Sequence, residues 1–78
     1  MIPARVHVDF NDIEADGTVT ARVVEDADAA LLPHDPVELY DGDGNTMRGT
    51  VRELRFVPPR VPLAVIDLEP GSWKAGEA

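Results

Sequence analysis

Oxygen donors crowd one short stretch of this 78-residue chain, Asp41-Gly42-Asp43-Gly44-Asn45. Ligands at alternate positions are how a calcium loop begins. The full loop requires glycine at its sixth position and a bidentate glutamate at its twelfth. Here those positions hold Thr46 and Arg52, so the run is expected to be a hairpin turn. His7 and His34 are the two imidazoles. His7 shares a strand face with Asp9, but a zinc or catalytic centre needs three or four converging groups, and no third ligand is spaced to join them. Cysteine is absent, which excludes thiolate metal sites and a disulfide framework. No pair of carboxylates is tied by spacing to a histidine or a nucleophile, and so small a domain has little room for a ligand cleft. The sequence therefore predicts a protein that is not an enzyme and that needs no cofactor or metal.

Charged and aromatic groups are better placed for recognition. The chain has fifteen acidic and seven basic residues, a formal charge of −8. Division of that charge is uneven. Residues 1–45 carry eleven acids and two arginines, net −9, whereas residues 46–78 carry four acids and five bases, net +1. Asp12, Glu14 and Asp16 form one acidic cluster, and Glu25, Asp26, Asp28 and Asp35 another. Such runs are solvated faces, or surfaces that dock on a basic partner or imitate phosphate. Arg48, Arg52 and Arg55 are expected to project outward from one strand with Tyr40 beside them, followed by Arg60. Arginine with an aromatic neighbour is a combination enriched at binding hot spots. The alternative for Arg48 is cross-strand pairing with Glu38. Trp73, the sole tryptophan, either covers an open end of the fold or anchors a partner. Pro59-Arg60-Val61-Pro62 fits the P-x-x-P template but reads more simply as a linker between strands.

Period-2 alternation supplies the elements that must hold these groups. Val6, Val8 and Phe10 share one face of a first strand over residues 4–11. Val19, Ala21 and Val23 share one face of a second over residues 18–25, and Asp16-Gly17 suggests that the two form a hairpin. Residues 25–32, stopped by Pro33, are too short for an independent helix and read as a loop or a single turn. A third strand runs from Pro36 to Asp41 with Val37 and Leu39 inward. Closing Gly42-Asp43-Gly44 as a three-residue loop, with Gly44 left-handed, pairs Leu39 with Met47 and Glu38 with Arg48. The fourth strand, about residues 46–57, needs one extra residue near Glu53, a β-bulge, to bring Leu54 and Phe56 back to the core side. The proline-rich run at 57–62 cannot join a central strand. Leu63–Leu68 is the fifth strand, which makes residues 1–70 one domain and residues 71–78 a polar tail, mobile apart from Trp73.

Five short strands leave exposed edges unless the sheet curls, so the expected fold is all-β, a small five-stranded barrel. The run Asp16-Gly17-Thr18-Val19-Thr20-Ala21-Arg22-Val23, then Leu32-Pro33-His34-Asp35-Pro36-Val37-Glu38-Leu39, resembles the barrel domain that follows the GTPase domain in translation factors. That family has a Gly-x-Val strand and then a turn of the form Leu-x-x-Gly-Asp-x-Val-x-Leu, and His34 occupies the glycine position here. The resemblance spans about residues 16–39 and implies an SH3-like or translation-factor-like topology, with no counterpart of the family's RNA-facing surface. Fold analogy alone carries no function.

The expectation is a non-enzymatic protein–protein interaction module, contacting its partner through Tyr40, Arg48, Arg52, Arg55 and Trp73. A partner with a basic surface suits the acidic half. Self-assembly through an uncovered edge into a homo-oligomer is the alternative, and a nucleic-acid-binding barrel using the arginine strip is a third reading that net charge disfavours. No stretch approaches the ~20 apolar residues of a membrane span. Met1-Ile2-Pro3-Ala4-Arg5 lacks the basic-then-apolar order of a signal peptide, which points to a cytoplasmic protein.

Overall fold

A computed structural model describes residues 3–23, 26–28, 30–56 and 62–76. Five strands form one curled sheet: β1 (Ala4–His7), β2 (Thr18–Arg22), β3 (Pro36–Tyr40), β4 (Thr46–Arg55) and β5 (Leu63–Leu68). Their spatial order is β1-β3-β4-β5-β2. The expected β1–β2 hairpin is not formed. β1 instead runs parallel to β3, with Val6 opposite Leu39, and β2 lies antiparallel to β5, with Val19 opposite Ile66.

Acidic side chains account for that arrangement. Asp9 ends the first strand early, because its carboxylate accepts the Asn11 N–H at 2.9 Å and caps a single 3-10 turn over Phe10–Asp12. Asp16 then takes both the N–H and the hydroxyl of Thr18, while the Thr18 carbonyl accepts from Glu14. At the far end of β2, the Asp26 carboxylate accepts the Arg22 N–H at 2.8 Å. The outer edge of β2 is thus occupied at both ends by local turns and is closed to β1.

The edge of β1 is occupied in the same way. Val6 bridges Ala27, the His7 N–H donates to the Asp26 carbonyl, and the Arg5 N–H donates to the Asp28 carboxylate. Because the Asp26 N–H also donates to the Arg22 carbonyl, this one residue ties the end of β2 to β1. The sheet is therefore a half-barrel whose seam is clasped by a loop, not the closed barrel expected from the sequence. Residues 26–28 and 30–32 contain no helix.

The core lies on the inner face. Val6, Val8, Val19, Ala21, Leu31, Val37, Leu39, Val51, Ala64 and Ile66 are all buried there, and the period-2 pattern places each of the strand residues on that face. The β3–β4 hairpin has the expected register: Leu39 faces Met47 and Glu38 faces Arg48. Gly44 has φ +83°, the left-handed conformation its loop position requires. Asp41 holds the loop by accepting the N–H groups of Asp43 and Asn45 and the Asn45 side-chain amide.

The bulge in β4 falls between Val51 and Glu53, opposite Ile66 and Val65. It puts Leu54 opposite Ala64, in phase with the core. Burial does not follow, contrary to expectation. Leu54 remains 36% exposed and Phe56 67%, at the end of the sheet where the β2–β5 and β4–β5 ladders stop, at Arg22, Leu63 and Arg55. Phase and cover are separate requirements, and the bulge meets only the first. Glu25 and Arg60, and with Arg60 all of the P-x-x-P segment but Pro62, lie outside the described residues.

Candidate interaction surface

The outer face of the sheet collects the residues singled out for recognition, in three groups rather than one strip. Tyr40 stands on β3 with the Arg5 guanidinium 4.5 Å from its ring centre and the His7 ring edge-on at 5.3 Å. Arg5 also reaches Glu38 at 3.5 Å. Neither Arg5 nor His7 was legible as a neighbour of Tyr40, since the signal depends on the parallel β1–β3 pairing.

Arg52, the extra residue of the bulge, and Arg55, beyond it, form the second group. Arg52 is held in a two-pronged pair by Asp67, with Nε 3.0 Å from one carboxylate oxygen and the terminal nitrogen on the other, and a third contact to Asp16 at 3.4 Å. The hydrogen bonds Arg52 donates to Asp67 lead the causes that raise the arginine's pKa above the ordinary value. Asp16 is shifted the other way, below the usual carboxylate value, first by its hydrogen bond to the Thr18 hydroxyl. Arg55 pairs with Glu53 at 2.8 Å. Both arginines rim a hollow that has Val65 among its lining residues, and Val65, on the outer face, is nevertheless buried.

Arg48 and Trp73 form the third. Arg48 pairs with Glu69 at 2.9 Å and not with Glu38, its cross-strand neighbour. Trp73 lines the same hollow as Arg48, Glu38, Met47 and Lys74, and packs edge-on against Phe10 at 4.9 Å while staying 47% exposed. Residues 72–76, part of the polar tail, lie along β4. Lys74 exchanges both main-chain hydrogen bonds with Thr46, at 2.8 and 2.9 Å. The Gly76 N–H donates to the Asn45 side chain.

Each of the three β4 arginines has a carboxylate partner, so the surface is a patchwork of exposed ion pairs interrupted by Tyr40 and Trp73. Individual exposed pairs contribute little stability, about 0–1 kcal/mol. Sequence reasoning missed the uncovered Leu54 and Phe56, because alternation reports which face a residue takes and not whether anything lies over it. Among the described residues there is no group of three or more metal-ligating side chains, and no helix is long and apolar enough to cross a membrane. No family model, curated protein or solved structure matches this chain.

Proposed function

We propose that this chain is a non-enzymatic protein-interaction module. The observation that carries the reading is the exposure of Phe56, 67% open to solvent just beyond the end of β4. Contiguous apolar groups left open on a surface mark a contact made with another chain, and Leu54, two residues before Phe56, is exposed as well. Arg55 follows Leu54 on β4 and precedes Phe56, and Arg52 is the extra residue of the bulge. Arginines and aromatics are both enriched at interface hot spots, and here Arg52 and Arg55 stand on the outer face of the strand end whose other face carries Leu54. The acidic half of the chain would steer a basic partner towards this surface, so association should slow as salt rises.

The ion pairing of Arg48, Arg52 and Arg55 weighs against the nucleic-acid reading, since each guanidinium is already neutralised. Edge-to-edge self-assembly is disfavoured by the occupied rungs on β1 and at both ends of β2. The left-handed backbone of His34, φ +74°, supports a kinship with translation-factor or SH3-like barrels, because that family's turn has glycine there. The cytoplasm is the compartment proposed.

The test is affinity capture with the native chain, a Phe56→Ser variant and an Arg52→Glu variant, each checked for folding by circular dichroism. One stoichiometric protein partner, lost with Phe56→Ser, is the expected result. Capture that is indifferent to both substitutions would refute this surface as the binding face.

A further inference from the structure

We infer that the lane along β4 filled by residues 72–76 is a strand-addition site, held in cis by the chain's own strap. Its alternative occupant is an extended segment of a protein partner that presents a hydroxyl, an aromatic and a cationic side chain in succession. This rests on the interaction-module reading and names the kind of partner it takes.

The strap behaves as a strand without belonging to one. β5 leaves the ladder after Leu68, with the Glu69 N–H donating to the Arg48 carbonyl at 2.9 Å. Beyond that point the chain turns through Pro70-Gly71 and comes back beside β4, where Lys74 pairs both ways with Thr46. The intervening rung is completed by a side chain: Ser72 Oγ accepts the Arg48 N–H at 3.0 Å and donates to the Glu69 carbonyl at 2.7 Å. Trp73 supplies the one apolar anchor, against Phe10. This is the pattern by which extended peptides add to a sheet: main-chain bonds hold them and side chains select them.

The attachment is of a kind that opens. Trp73 and Lys74 are exposed, and segments held by exposed hydrogen bonds with few buried apolar contacts lie at the low-stability end of local unfolding. Release would bare the Thr46 N–H and carbonyl and the Arg48 N–H together, a short unpaired lane. The charge around it favours a cation, because Arg48, which lines the same hollow, is paired with Glu69. Glu38 lines the hollow shared by Trp73 and Lys74, and Asp41 and Asp43 line the neighbouring one that Trp73 also borders.

Gly76→Val in the full chain separates the strap from its seat. A Cβ at Gly76 would lie 2.7 Å from the Gly44 carbonyl carbon and would also meet the Asp43 carbonyl oxygen, both of them backbone. The probe is a blocked synthetic peptide with the sequence of residues 71–76, followed by amide chemical shifts at Thr46 and Arg48. The variant is expected to bind it at sub-millimolar concentration. The native chain should bind it at least tenfold more weakly, since its site is free only for the fraction of time the strap is open. The same peptide with glutamate at the lysine position should bind the variant more weakly than the parent.

A folded variant whose Thr46 and Arg48 amides are freed, yet which ignores millimolar peptide, would overturn the inference. So would a native dimer by light scattering that the variant loses, because the occupant would then be a second copy's strap. If the peptide does not bind but Phe56-dependent capture persists, the lane fails and the module stands. If the peptide binds but capture never depends on Phe56, the lane stands and the Phe56 surface fails.

Discussion

The Asp26 carbonyl accepts the His7 N–H at 2.8 Å, while the Asp26 N–H donates to the Arg22 carbonyl at 2.9 Å. One residue therefore binds both strands that a closed barrel would have paired directly. Its carboxylate adds a third bond, to the Arg22 N–H. Asp26→Ala removes that third bond and should cost about 1 kcal/mol, which lowers the melting temperature by roughly 4–8 °C in a domain of this size. Hydrogen exchange should quicken at Arg5, His7 and Arg22 and leave Leu39 unchanged. Uniform acceleration would show that the seam opens only with the whole sheet.

Asp41 gives the hairpin a pH dependence. Hydrogen bonds, the Asn45 amide first among them, hold its carboxyl below the usual value of 3.8. A carboxyl whose folded pKa is depressed contributes stability above its unfolded pKa and loses it as pH falls through the folded one. Asp41→Ala should therefore destabilise the protein at neutral pH, and the gap from native should close progressively below about pH 4. Paired denaturant titrations across that window would measure it. A gap that stays constant into strong acid would assign the effect to loop shape rather than to charge.

Gly49 sits at the tightest approach in the sheet. A Cβ there would lie 2.8 Å from both the Asp67 carbonyl oxygen and the Ile66 side chain. Gly49→Ala should cost about 1–3 kcal/mol through overpacking, although alanine is otherwise the mildest of substitutions. Chemical denaturation should show a lower midpoint at an unchanged slope.

His34→Gly should act in the opposite direction. At φ +74° the imidazole-bearing residue holds a conformation that costs an L side chain about 1–2 kcal/mol. Glycine relieves that cost and returns part of it as unfolded-chain entropy, so the net gain should be about 0.5–1 kcal/mol. No gain would mean that the side chain makes a compensating contact. The turn at residues 32–35 is held independently, by the Leu32 N–H on the Asp35 carboxylate.

Strand positions and the β3–β4 register were legible because alternation, glycine placement and charge pairing agree within a few residues of one another. The bulge was legible for the same reason, since Val51 and Leu54 cannot share a face without it. Pairing between distant strands was not. Nothing local in Arg5-Val6-His7 distinguishes a neighbour at Glu38-Leu39-Tyr40 from one at Thr18-Val19-Thr20, because both offer the same alternation. The choice was made by Asp16, Asp26 and Asp28, whose side chains consume edge donors and read in the sequence only as acidity. Ser72 was invisible for a related reason, as a hydroxyl standing in for a carbonyl leaves no periodic trace. The candidate site was legible residue by residue, but its grouping depended on these long-range choices.

The parallel pairing of β1 with β3 also orders events in time. Ala4 lies opposite Val37, so β1 leaves the ribosome without a partner and stays so until more than thirty further residues have followed it. The β3–β4 hairpin, by contrast, closes over a three-residue loop and forms on the microsecond scale of such elements. Non-local closures of this kind slow folding. β1 therefore waits as an unpaired ribbon during synthesis.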